Sequence, residues 1–176
     1  MGNTVYIISG PAGAGKSTTS RILASLLPRS AYIEGDLIDR MVVGGHEKPW
    51  LSDYHTGLIW RNMKSLASNF LDEKHDVVID YVAFPRNAEE MASAFEERGD
   101  VTVKYAVLVP KEDELLRRDA QRQPEARMGM RCLAGLQEIR DAKPDPKHLL
   151  DTTDIPVEKV VRLIMSKPEF EIGRRR

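Results

Sequence analysis

Gly10-Pro11-Ala12-Gly13-Ala14-Gly15-Lys16-Ser17 follows the apolar run Val5-Tyr6-Ile7-Ile8 and precedes a stretch of helical periodicity. The octapeptide satisfies the phosphate-loop pattern G-x-x-x-x-G-K-[ST] in the strand-to-helix setting that gives the pattern its meaning. Its glycines let the backbone curl so that successive N–H groups face an anion, and the following helix contributes its positive end. Gly10, Ala12, Gly13, Ala14 and Gly15, with Lys16, Ser17 and Thr18, are therefore the expected nucleotide-binding segment. Lys16 supplies a mobile ammonium for the β- and γ-phosphates and counts as catalytic for that reason, while Ser17 offers a hydroxyl to Mg²⁺.

Outward from this loop, strand and helix alternate. Thr4 to Ser9 is apolar and β-branched, as befits a strand buried on both faces, and Lys16 to Leu27 carries apolar residues at helical spacing until Pro28. Ser30 to Glu34 predicts a second strand ending at Gly35-Asp36, and Leu37 to Val43 a short helix. After the loop Gly44 to Trp50, a helix from Ser52 to Asp72 is expected to turn Ile59, Met63, Leu66 and Phe70 inward. Asp76 to Asp80 predicts a third strand, Asn87 to Arg98 a helix capped by Gly99, and Val101 to Val109 a fourth strand. Glu112 to Asp119 and Glu125 to Arg140 predict two further helices, the second with Met128, Cys132, Leu136 and Ile139 on one face. His148 to Asp151 and Val157 to Met165 complete the series as a strand and an amphipathic helix. The pattern specifies an α/β, three-layer fold with a five-stranded parallel sheet and helices on both faces.

Composition narrows the class. A chain of 176 residues with 41% hydrophobic content is sized for one domain, residues 1–176. Its 26 Lys and Arg nearly balance 27 Asp and Glu, so no overall field draws in nucleic acid or an anionic membrane. A single cysteine, Cys132, excludes an intramolecular disulfide and a cysteine-based zinc site, and core filling is its expected role. With no run near the roughly twenty apolar residues of a membrane span and no leader pattern, a cytoplasmic location is expected. Met1-Gly2 opens a myristoylation pattern that Tyr6 breaks, and Arg174-Arg175-Arg176 reads as a solvated terminus.

Several polar residues fall where chemistry is expected. Open α/β sheets bind ligands at the carboxyl ends of their strands, and Asp36 and Asp80 both sit at such ends. One carboxylate there can accept a proton from an attacking hydroxyl, and one can hold Mg²⁺. Spacing leaves open which does which; Asp36 is taken as the base, with the alternative that it merely caps the helix after it, and Asp80 joins Ser17 as the metal pair. Arg118 and Arg122, with Arg127 and Arg131 four apart, form a short arginine-bearing lid over about residues 117–131. The loop Gly44 to Trp50, with Arg40 before it and Arg86 after the third strand, suggests an acceptor pocket, in which Trp50 can stack and to which Arg127 and Arg131 add. His46 and His55 are not at metal-ligand spacing and read as ordinary surface or pocket residues.

The phosphate loop, Tyr32-Ile33-Glu34-Gly35-Asp36, the Asp80 strand end, the segment Leu116 to Arg122 and Asp151-Thr152-Thr153 together resemble the small P-loop kinases. That group has the nucleoside monophosphate kinase fold and includes gluconate kinase, shikimate kinase, chloramphenicol phosphotransferase and the polynucleotide kinase domain. The likeness is greatest to bacterial proteins labelled as gluconate kinases or AAA-type ATPases, and it extends over nearly the whole chain. The resemblance implies Asp36 as general base, Arg118 packed on adenine, catalytic Arg122 on the phosphates, and the loop Thr152 to Pro156, including Thr153, against the base. It also implies ATP and Mg²⁺ as cofactors and a small-molecule hydroxyl as acceptor, handled by a monomer or homodimer without nucleic acid or membrane. The basic motifs that dedicated gluconate or shikimate kinases place on substrate carboxylates are not found. A GTPase reading lacks its N-K-x-D motif, and a nucleotide-binding regulatory ATPase without an acceptor would have no need of Asp36.

Overall fold

The structure is a computed structural model that describes residues 2–173, so the terminal arginines Arg174 to Arg176 lie outside the described residues. Strand β1 (Asn3–Ser9) leads through the phosphate loop into helix α1 (Lys16–Leu26), and β2 (Ser30–Glu34) leads directly into α2 (Gly35–Asp39). Then follow α3 (Asp53–Asp72), β3 (Asp76–Asp80), α4 (Pro85–Phe95), β4 (Val101–Leu108), α5 (Glu112–Ala120), α6 (Met130–Asp141), β5 (Leu149–Leu150) and α7 (Val157–Ser166). The strands form one parallel sheet in the order β2-β3-β1-β4-β5. This is the α/β architecture expected from the alternating pattern.

Period-two alternation in β1 divides the interior. Val5 and Ile7 join Ile59, Trp60 and Met63 of α3, Met91 and Phe95 of α4, and Tyr105 of β4 on one face of the sheet. Tyr6 and Ile8 join Leu23 of α1, Leu136 of α6, and Val160, Val161 and Ile164 of α7 on the other. Since β1 is central and covered on both sides, each of these side chains is nearly or wholly out of water, a burial worth about 1.5–3 kcal/mol per large aliphatic residue. Cys132 fills the second core, fully buried, as its isolation in the sequence suggested.

Several details differ from the expectations drawn from sequence, each for a local reason. Helix α2 ends at Asp39 rather than Val43, and beyond it Met41 and Val43 are 70% and 93% exposed, so no apolar stripe sustains a further turn. In α3 the buried stripe is His55, Ile59, Trp60, Met63, Ala67 and Leu71, while Phe70 is 36% exposed, its ring centre 6.2 Å from that of His75. Helix α4 begins at Pro85, a residue whose fixed φ suits a first helical turn, and closes at Phe95 into a 3₁₀ turn, Glu96–Arg98, ended by Gly99 at φ 68°. The segment from Glu125 is a 3₁₀ turn over Pro124–Ala126 followed by α6 from Met130, so Met128 precedes the helix and stays partly exposed.

The last helix is tied down from inside the sheet. Lys104 of β4 is buried, and its ammonium donates to the carbonyls of Met165 at 2.8 Å, Lys167 at 3.2 Å and Ile164 at 3.5 Å. These are C-terminal carbonyls of α7, groups that a helix leaves without internal donors.

Candidate active site

The strands β1 and β3 run in register, with Ile8 opposite Asp80, and β2 continues the row with Glu34 opposite Asp80. Parallel pairing therefore delivers the phosphate loop, Asp36 and Asp80 to the same sheet edge. Gly10 starts the loop at φ 146°, and a Cβ there would lie 2.6 Å from the Leu108 carbonyl oxygen, so the close crossing over β4 requires glycine. Helix α1 has no side-chain cap; its N-cap is Gly15 at φ 94°, which leaves the first turn's N–H groups to an anion. The Lys16 ammonium folds back onto the Pro11 carbonyl at 3.0 Å.

This edge opens into a cavity of about 1270 Å³. Ala12, Gly13, Gly15, Lys16, Ser17 and Thr18 line one end of it, together with Asp36 and Asp80. Gly10 and Ala14, expected among the nucleotide contacts, do not line it: Gly10 is buried against Leu108, and Ala14 is buried with its N–H donated to the Pro11 carbonyl at 3.2 Å. The cavity continues away from the loop between Trp50, Trp60, Arg61, Arg86 and Glu90.

Charges at the loop end are mutually adjusted. Burial pulls the Lys16 pKa below its usual value, although the carboxylates of Asp80 and Asp36 both act to raise it. The cleft walls desolvate the Asp36 carboxyl and push its pKa up, more than the Lys16 ammonium and Arg40 bring it down. A carboxyl so raised is a stronger base than an ordinary aspartate. Asp36 makes no helix cap, since α2 starts after Glu34 without a side-chain cap, so the capping alternative drops away. Asp80 is 3% exposed and accepts a hydrogen bond from the Tyr32 hydroxyl at 2.6 Å. Burial, and then that hydrogen bond, hold the Tyr32 phenol well above its usual pKa, so it stays a donor. A buried carboxylate and an exposed serine hydroxyl lining one cavity are hard oxygen donors of the kind Mg²⁺ takes, so the chemistry of Ser17 and Asp80 fits the ion.

The wall between β3 and α4 is held firmly. The Ser9 hydroxyl donates to the Ala83 carbonyl at 2.7 Å and accepts from the Ala83 N–H at 2.9 Å, and the Tyr105 hydroxyl donates to the same carbonyl at 2.8 Å. Gly35 lies flat against the Tyr81 ring, where an added Cβ would meet ring carbons at 2.3–2.4 Å. Strand β2 and its acid thereby approach the β3 loop more closely than any side chain at position 35 would allow.

The lid residues are more tightly bound than the sequence suggested. Arg118 spans the gap between the phosphate loop and the loop after β5: it donates to the Thr152 carbonyl at 2.7 Å, to the Ala14 carbonyl at 3.4 Å and to Glu114 at 2.6 Å. Thr153 does not line the cavity, because its hydroxyl donates to Asp151 at 2.6 Å and accepts from the Lys111 N–H at 2.8 Å. Arg122 does line it, bridged to Asp119 at 3.2 Å. Asp119, a residue the sequence reading passed over, is 3% exposed and also accepts the N–H groups of Met128 and Gly129 at 2.8–3.1 Å. Burial alone would raise its pKa, but those N–H groups and Arg122 outweigh it and the net shift is downward.

Among the proposed acceptor residues, the structure brings Trp50, Arg86 and Arg131 to the cavity and leaves out Arg40 and Arg127. Arg40 points to Glu34 at 3.7 Å, and Arg127 donates to the Arg122 carbonyl at 2.9 Å; Arg127 also precedes α6, so it shares no helical face with Arg131. Trp50 is half exposed with the Arg131 guanidinium 5.4 Å and the Lys48 ammonium 5.7 Å from its ring centre, which joins α6 to the acceptor loop across the cavity mouth. Arg86 is 87% exposed and pairs with Glu90 at 2.7 Å.

Comparison with known proteins agrees with this fold. No sequence among the curated proteins matches significantly. The fold is similar to a sugar kinase from a Janibacter species, at a TM-score of 0.68 and 15% identity over 97% of this chain and 96% of that one. It is similar also to the Mycobacterium tuberculosis APS kinase CysC, solved with AMPPNP and APS, at a TM-score of 0.64 and 18% identity over 93% and 95% of the two chains. In the Pnkp1/Rnl/Hen1 RNA repair complex, 81% of this chain matches 47% of the partner chain's length at a TM-score of 0.58 and 18% identity. No helix among the described residues is long and apolar enough to cross a membrane. The AAA domain family, described by that name, matches residues 5–139. With a complete phosphate loop at the edge of a five-stranded parallel sheet, the chain belongs to the AAA domain family and has its P-loop kinase-like fold.

Proposed function

We propose that the protein is a phosphotransferase, moving the γ-phosphate of MgATP to a hydroxyl of a small molecule such as a sugar acid, a nucleoside or nucleotide, or an antibiotic-like alcohol. The observation that carries this reading is the shared cavity: Lys16 feels both Asp80 and Asp36, and the same space runs on past them to Trp50, Trp60 and Arg86. The triphosphate lies on the loop and the α1 N-terminus, Mg²⁺ is held by Ser17 and Asp80, and Lys16 and Arg122 neutralise charge on the transferred group. Asp36 takes the proton of the acceptor hydroxyl as its oxygen bonds to the γ-phosphorus and the bond to the β–γ bridging oxygen breaks, releasing ADP. Arg118 presents its guanidinium plane to the adenine, and Trp50, Arg86 and Arg131 receive the acceptor.

The named kinases of similar fold support the reaction class, and their substrates differ enough that the acceptor has to be measured. A sugar acid or other polyol suits the mixture of aromatic, cationic and carboxylate groups at the far end of the cavity. The protein acts in the cytoplasm, as a monomer or homodimer, without nucleic acid or membrane. A regulator that binds nucleotide without transferring phosphate has no use for the acceptor end of the cavity. Acceptor-dependent ADP release, measured across sugar acids, nucleosides, nucleotides and aminoglycoside- or chloramphenicol-like alcohols, tests the proposal. Turnover above background with one class supports it; background hydrolysis with every class favours the regulator.

A further inference from the structure

By sequence spacing His46 and His55 are ordinary surface or pocket residues, yet the fold brings both to one carboxylate. Asp39 closes α2, His46 lies in the following loop, and His55 sits in the first turn of α3. The Nε2 atom of His55 is 2.6 Å from Asp39 Oδ1, and the Nε2 atom of His46 is 2.9 Å from the same oxygen. One ligand atom from each of the three lies within 4.8 Å of the others. The two rings meet edge to face, their centres 4.8 Å apart at 76°, so neither blocks the other's nitrogen.

We propose that Asp39, His46 and His55 bind one divalent transition-metal ion of the zinc class, separate from the Mg²⁺ of the phosphate loop. Two imidazoles and one carboxylate form a donor set for zinc, cobalt or nickel rather than for magnesium, which prefers oxygen and retains its waters. Bonds of about 2.0–2.1 Å to a tetrahedral ion place neighbouring ligand atoms roughly 3.3 Å apart, so the 2.6 Å and 2.9 Å contacts to Asp39 have to open by about 0.7 and 0.4 Å, while the two imidazole nitrogens, within 4.8 Å of each other, settle to the same spacing. His55 is 2% exposed and oriented by its helix, whose N-cap Ser52 accepts the His55 N–H at 3.2 Å. His46 is exposed and gives the ion a way in.

The ion would clip the 44–52 loop, which carries Trp50, onto α2 and α3. Asp39 also lines the large cavity, so the clip stands behind its acceptor wall. This inference holds whatever the acceptor is, and it does not require phosphoryl transfer.

The test uses tag-free full-length protein stripped with chelator and then titrated with Co²⁺ alone, followed by Zn²⁺ competition against a chromogenic indicator. One equivalent of Co²⁺ is expected to give the intense visible absorption of a four- or five-coordinate site, to be displaced by Zn²⁺, and to raise the thermal midpoint. His46→Ala, at an exposed loop position, is expected to weaken binding at least about tenfold while its metal-free midpoint stays near wild type. Lys16→Ala, which damages the phosphate loop, should leave Co²⁺ binding unchanged. Absence of Co²⁺ binding by the wild type, or binding that His46→Ala leaves intact, overturns the proposal and reduces the cluster to a hydrogen-bonded His-Asp-His group.

Discussion

The hydroxyl of Tyr32, on the edge strand β2, donates at 2.6 Å to Asp80, which ends the neighbouring strand β3. The same hydroxyl lies 3.4 Å from Glu34, and Arg21 pairs with Glu34 while covering the tyrosine ring at 4.9 Å. The acid assigned to Mg²⁺ is thus aimed by a group two positions before the strand end, and Tyr32→Phe removes only that hydrogen bond. The expected result is a several-fold rise in the Mg²⁺ concentration for half-maximal turnover with little change in acceptor KM. A hydrogen bond to a charged partner contributes about 1.5–3 kcal/mol, so unchanged Mg²⁺ dependence would show that Tyr32 does not position Asp80.

Asp36→Asn separates binding from transfer. Nucleotide affinity should survive and kcat fall by about 10² or more, as read by calorimetry with a non-hydrolysable ATP analogue alongside turnover. Wild-type turnover in the variant would remove Asp36 from the role of base.

The raised pKa of Asp36 also has a stability consequence whose sign can be worked out. Between the ordinary carboxylate value, near ~3.9, and the higher native value, the folded protein holds more protons at this group than the unfolded chain. Unfolding free energy therefore drops as pH rises through that window, and the contribution of this group is gone above it. Ligand-free Asp36→Asn should match or exceed the wild-type thermal midpoint at neutral pH, and kcat/KM of the wild type should climb as Asp36 ionises. A variant clearly less stable than wild type at neutral pH would contradict this.

Asp119 behaves in the opposite sense. Its lowered pKa means a contribution present above the unfolded value and lost as pH falls through the folded one. Asp119→Asn replaces an oxygen that accepts N–H groups from Met128 and Gly129, and a destabilisation of about 1–3 kcal/mol is expected from the lost bonds. Because those N–H groups connect the lid to α6, the ATP KM should rise as well. Urea unfolding and nucleotide titration measure both effects.

Lys104→Met keeps the apolar stem and removes the ammonium that serves three carbonyls at the end of α7. Loss of about 1–3 kcal/mol in stability, with kcat unchanged, is expected from denaturant unfolding and turnover; the site lies away from the phosphate cavity.

What the sequence revealed and what it hid follow from how local each signal is. The phosphate loop, the strands and the two strand-end acids are written in contiguous residues, and the parallel fold then delivers them to one edge. Tyr32, Asp119 and the Asp39-His46-His55 cluster depend on residues from different elements meeting, which no periodicity records. Trp60 was missed and Phe70 overvalued in α3 because a helix stripe read from apolar residues alone can rotate by a residue when His55 and Ala67 also face inward. Arg40 and Arg127 looked like ligands by type, but each had a nearer partner, Glu34 and the Arg122 carbonyl. For Asp119 the sequence gives little warning, because the N–H groups it accepts, those of Met128 and Gly129, lie nine and ten residues further on.

The place of β1 at the middle of the sheet has a bearing on how the molecule assembles. Its register with β4 joins Asn3 to Val101 and Ser9 to Val107, and its register with β3 joins Val5 to Val77. On the ribosome, the segment that carries the phosphate loop emerges before either of its neighbours exists and waits through about a hundred residues of synthesis. Closing such long loops is entropically demanding and slow. The nucleotide site is therefore begun well before it can be finished, and a triphosphate bound there can reward only the completed fold.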